Sequence, residues 1–85
     1  MTTPNSLPKL TMYTRPGCPD VARASYFLRE RGITWDEIDI EQDQDARRQV
    51  IAWTGRAATP TLWIGDTLLV EPDAREIDDA LAKAA

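Results

Sequence analysis

Apolar and polar residues alternate from Leu10 to Thr14, in the run Leu-Thr-Met-Tyr-Thr, and this composition favours a strand. The period then changes. Val21, Ala24, Phe27 and Leu28 share one face at helical spacing, while Arg23, Arg29, Glu30 and Arg31 fall mostly elsewhere. This predicts an amphipathic helix that starts close to Cys18 and is closed by Gly32. Residues 33–40 return to alternation, with Ile38 and Ile40 on one face and Trp35, Glu37 and Asp39 on the other, which predicts a second strand. After the acidic loop 41–45, Ala46, Val50, Trp53 and Thr54 again recur at helical spacing, and Gly55 ends that helix. Thr61–Ile64 and Thr67–Val70 are short apolar strands around Gly65-Asp66, a two-residue loop suited to a type II′ hairpin. Asp73 with Glu76 three residues later has the form of a capping box, and Ile77, Leu81 and Ala84 form the buried stripe of a last helix.

The predicted order is therefore β-α-β-α-β-β-α. A crossover helix makes the first two strands parallel, and the hairpin adds an antiparallel pair. The expectation is an α/β chain with a four-stranded mixed sheet flanked by three helices. Residues 1–8, with Pro4, Pro8 and small polar side chains, read as a flexible N-terminal arm, and residues 9–85 as a single domain.

Charge and residue counts remove several function classes. The net charge is −4 and no polybasic run occurs, which argues against nucleic acid and against an anionic membrane as partners. No apolar run approaches the length of a membrane span, and residues 1–8 lack the pattern of a secretory signal. With one cysteine the chain forms no internal disulfide, and the cytoplasm is the expected compartment. There is no histidine, so neither a Cys–His dyad nor a Ser–His–Asp triad exists. One cysteine among scattered carboxylates is a poor zinc set, and neither a metal nor a bound cofactor is expected.

The candidate chemistry lies in Thr14-Arg-Pro-Gly-Cys18-Pro-Asp-Val21, where the first strand gives way to the first helix. A helix N-terminus presents unpaired N–H groups and about half a positive charge, and so favours an anion such as a thiolate. Cys18 is expected to be a partly exposed nucleophile with a lowered pKa, since turn residues flank it. Arg15 adds positive charge nearby, whereas the Asp20 carboxylate opposes a second anion.

Taken together, Tyr13-Thr-Arg-Pro-Gly-Cys-Pro19, Gly32-Ile33, Ile38-Asp-Ile40, Thr59-Pro60 and Leu69-Val-Glu-Pro-Asp-Ala74 resemble the glutaredoxin family, in particular small bacterial glutaredoxins and mycoredoxins. The resemblance implies a thioredoxin fold with Cys18 as the attacking thiol, at the first position of the family's Cys-Pro-x-Cys motif. It implies that Thr59-Pro60 is a cis peptide facing that thiol, with the Thr59 backbone free to pair with a substrate strand. It also places Arg15, Pro19, Thr59, Pro60 and Asp73 where a thiol ligand or substrate binds. Asp73 has a second reading, as the N-cap of the last helix.

Two departures from the family's pattern matter. Val21 stands where the second, resolving cysteine belongs, so the chain is read as a monothiol variant. Val70-Glu71-Pro72 replaces the Gly-Gly stretch of glutathione-using members, which leaves glutathione and mycothiol both as candidate co-substrates. The function expected is reduction of mixed disulfides on proteins through Cys18 and a low-molecular-weight thiol, by a monomer. Two alternatives are a cysteine-bridged dimer carrying an iron–sulfur cluster and a non-catalytic thioredoxin-fold binding module. Arg47, Arg48 and Arg56 are read as solvated charges, and Trp53 and Trp63 as packing residues.

Overall fold

A computed structural model describes residues 9–84; the expected arm, residues 1–8, lies outside the described residues. Its elements are β1 (Leu10–Thr14), α1 (Pro19–Glu30), β2 (Asp36–Asp39), α2 (Gln44–Thr54), β3 (Thr61–Ile64), β4 (Thr67–Val70) and α3 (Ala74–Ala84). The strands form one sheet in the order β2-β1-β3-β4. β1 runs parallel to β2 and antiparallel to β3, and β3 pairs antiparallel with β4. The order and the mixed sheet are those predicted from the residue pattern, and the fold is thioredoxin-like.

Alternation along β1 divides the core between the two faces. Leu10 and Met12 join Ala24, Leu28, Leu62, Ile64, Ile77 and Ala80 under α1 and α3. Tyr13 points the other way, to Ile40, Ala46 and Val50 under α2. Trp53 stands between Tyr13 and Trp63, edge-on to each with ring centroids 5.5 Å apart. Such pairs contribute about 0.5–1.5 kcal/mol beyond the area they bury, so Trp53 acts in packing although part of it meets solvent.

Local chemistry sets the helix ends. Asp43 caps α2 by accepting from the Ala46 N–H at 3.0 Å, and Gly55 closes it in the left-handed region at φ 91°. The expected capping box heads α3: Glu76 N–H donates to Asp73 Oδ1 at 2.8 Å, and Asp73 N–H donates to Glu76 Oε1 at 3.0 Å.

One strand is shorter than predicted. β2 covers only Asp36–Asp39, not residues 33–40. Ile33 N–H is still bonded to Leu28 O at the end of α1, and pairing with β1 begins only at Thr11 opposite Asp36. Ile33 and Trp35 instead pack against the α1–α3 core as connecting chain.

Candidate active site

The approach to Cys18 is a tight turn. Cys18 N–H bonds to Arg15 O at 3.4 Å, Pro16 fills the second position and Gly17 the third at φ 75°. This is the residue pattern of a type II turn, whose third residue needs positive φ, so glycine is required there. Cys18 is then the N-cap of α1, and Pro19 is the first helical residue, where its missing N–H costs nothing. The next free amides, on Asp20 and Val21, are left beside the sulfur.

Cys18 is 8% exposed, which corrects the expectation of a partly exposed thiol. The flanking turn residues are themselves exposed, but the loop before β3 folds onto the sulfur from 41 residues away. The Thr59–Pro60 bond in that loop is cis. Cys18 Sγ donates to Thr59 O at 3.7 Å, and Thr59 Oγ1 donates to Sγ at 3.5 Å. Thr59 and Pro60 are both buried, and the Thr59 N–H has no partner among the described residues.

Burial raises the Cys18 pKa, and four influences oppose it: the Thr59 hydroxyl, the N–H groups of Val21 and Asp20, and the Arg15 charge. The balance lies below the ordinary thiol value. The thiol closes no capping hydrogen bond while it donates to Thr59, yet the two amides still favour its anion. The Asp20 carboxylate, expected to oppose the thiolate, is not among the influences on the sulfur, whereas the backbone of Asp20 is. Its N–H lowers the pKa, while the carboxylate is engaged by Arg23.

Cys18 borders a groove of about 530 Å³ between the Arg15–Ala22 segment and the edge strand β2. Arg15, Cys18, Pro19 and Val21 line it, together with Glu37 and Asp39. The residue pattern alone does not single out the last two as site residues. Their shared face on β2 was readable from alternation, but what that face looks upon was not.

Asp73 does not line this groove. It lies with Asp20, Glu71 and Pro72 in a second one, of about 700 Å³, between α1 and α3. Glu71 takes a left-handed conformation, φ 50°, rare for a residue with a side chain. Its N–H bonds Pro60 O at 2.8 Å and its carboxylate pairs with Arg56 at 2.5 Å. Arg56 is solvated, as expected, and also pairs with Glu71, because β4 returns Glu71 to the loop that Arg56 begins.

Comparison with known proteins agrees with this geometry. The family model described as glutaredoxin matches residues 10–69. A glutaredoxin of Pseudomonas aeruginosa is 30% identical over 61 residues, which cover 72% of this chain and 73% of that protein. The solution structure of a glutaredoxin from Brucella melitensis superposes with a TM-score of 0.73 at 32% identity, over 91% of this chain and 85% of that one. The glutaredoxin-like NrdH-redoxin from Escherichia coli shares the fold, with a TM-score of 0.77 at 21% identity, over 84% of this chain and 92% of that one.

Proposed function

The chain belongs to the glutaredoxin family, and from that premise we propose that it is a monothiol thiol–disulfide oxidoreductase that works through Cys18 alone. The observation that carries this reading is the convergence on one sulfur of the Thr59 hydroxyl, two helix-start amides and Arg15, which together outweigh burial. A thiolate is the attacking species in exchange, and its fraction at neutral pH rises as its pKa falls.

In the first step the Cys18 thiolate attacks one sulfur of a disulfide. A new S–S bond forms, the old one breaks, and the departing sulfur leaves as a thiolate that takes a proton from water. The unpartnered Thr59 N–H is suited to hold the substrate main chain as an added strand, which tolerates varied side chains. Pro19 borders the groove, and Arg15 favours each thiolate as it appears.

The second step needs a thiol from outside. Val21 stands three residues after Cys18, where a resolving cysteine would sit, and it packs against the α1–α3 core. A small thiol, glutathione or mycothiol, therefore attacks the mixed disulfide and releases Cys18 as a thiolate. The cytoplasm, with its reduced thiol pool, is the compartment we propose for this cycle.

Steady-state reduction of a small mixed disulfide by each thiol, with a coupled reductase, tests the reading. The wild-type protein is expected to turn over and Cys18→Ser to be inactive. Equal rates for the two proteins would remove Cys18 from the mechanism.

A further inference from the structure

The Cys18 groove changes sign along its length. Arg15 brings positive charge to the sulfur, whereas the wall formed by β2 carries the Glu37 and Asp39 carboxylates. On this edge strand Glu37 is exposed and Asp39 half-buried. None of the ion pairs among the described residues uses either of them, although arginines elsewhere on the chain are paired with Asp20, Asp45, Glu71, Asp78 and Asp79. Each is instead held by one uncharged donor: Trp35 Nε1 donates to Glu37 Oε1 at 3.1 Å, and Glu41 N–H donates to Asp39 Oδ1 at 2.8 Å. The second oxygen of each carboxylate is left available, on a side chain already oriented.

We propose that Glu37 and Asp39 are specificity-determining residues, selecting disulfides in which the reacting cysteine is followed by lysine or arginine. The inference rests on the exchange activity proposed above. Exchange places the substrate sulfur on Cys18, at the Arg15 end, where the leaving group departs as an anion. A cationic side chain on the neighbouring residue then meets the carboxylates across the same groove. Charge-assisted hydrogen bonds of this kind are about twice as strong as neutral ones, and arginine can engage a carboxylate with two. The net charge of −4 steers the same substrates toward the protein.

Symmetric disulfides of capped dipeptides test this, with cysteine followed by lysine, glutamine or glutamate. Symmetry makes attack on either sulfur equivalent. Cys18 bonds to one peptide sulfur, and the other peptide leaves as a thiolate that water protonates. The rate constant for this single step is measured with reduced protein in excess, at low ionic strength. The lysine peptide is expected to react roughly three- to tenfold faster than the glutamate peptide, after correction for their rates with a free thiol. The ratio should fall toward one at about 1 M salt, where the screening length is about 3 Å. It should fall likewise in a Glu37→Gln, Asp39→Asn double variant. Because the ratio is internal to each protein, a uniform loss of rate does not mimic the effect. Equal rates in the wild type, with Cys18 plainly reactive, would overturn the selection while leaving the exchange reading intact. A preference that survives in the double variant would assign it to other residues. If no peptide reacts, the exchange reading fails and this inference with it.

Discussion

The Thr59 hydroxyl donates to the Cys18 sulfur across 3.5 Å, although 41 residues separate the two in the chain. It is the largest of the influences that lower the thiol pKa, ahead of the helix-start amides and Arg15. The first helix alone therefore does not account for the nucleophile. The loop before β3 completes it, and the same loop buries it.

Thr59→Val keeps the branched shape and removes the donor. Its Cys18 pKa is expected to rise above the wild-type value, moving the pH profile of alkylation to higher pH. Thr59→Ser, which retains a hydroxyl, should recover most of the shift. A profile unchanged in the valine variant would show that the hydroxyl does not act on the sulfur.

Arg15→Gln is expected to move the profile in the same direction by a smaller amount, since Arg15 contributes least among the lowering influences. Arg15 is exposed, so salt should reproduce part of the effect in the wild type and little of it in the variant. A larger shift for Arg15→Gln than for Thr59→Val would reverse the order of the two influences.

Val21→Cys tests the vacant resolving position. Cys18 is the N-cap and Val21 the third helical residue, so the two share a face of the first turn of α1. Side chains in this relationship stand about 5–6 Å apart at Cβ, and modest adjustment brings two cysteines into disulfide geometry. Oxidation should give an intramolecular disulfide, seen as the loss of two hydrogen atoms by mass spectrometry. Oxidised wild type should instead hold one molecule of small thiol. Oxidised Val21→Cys that retains two free or separately adducted thiols would contradict this geometry.

Asp73→Ala separates the two readings of that residue. As the N-cap of α3, it should cost about 0.5–2 kcal/mol in urea unfolding. Exchange rates measured well below the unfolding midpoint should change little, because Asp73 lies outside the Cys18 groove. A large loss of rate with small-thiol mixed disulfides, at unchanged stability, would favour the ligand role instead.

What the residue pattern made readable is mostly local. The period of Leu10–Thr14, the stripe through α1, the hairpin at Gly65 and the Asp73–Glu76 capping box each depend on neighbours within a few residues. Where the structure departs from the pattern or adds to it, partners far along the chain decide. β2 stops short at Asp36 because β1 supplies no pairing before Thr11. Cys18 is buried because Thr59 returns to it, and Arg56 is paired because β4 brings back Glu71. Alternation placed Glu37 and Asp39 on one face, but their position beside Cys18 follows from the order of strands in the sheet.

Everything proposed for this site depends on the protonation state of Cys18. Titrating the ultraviolet absorbance of the thiolate in the folded protein measures it, with Cys18→Ser as the blank for tyrosine ionisation. Because the folded-state pKa is depressed, the thiolate should persist as pH falls below about 8.5, the value of a free cysteine. A midpoint below that value is expected, with one proton released. A midpoint at or above it would mean that burial prevails over Thr59, the amides and Arg15, and would contradict an activated nucleophile at this site.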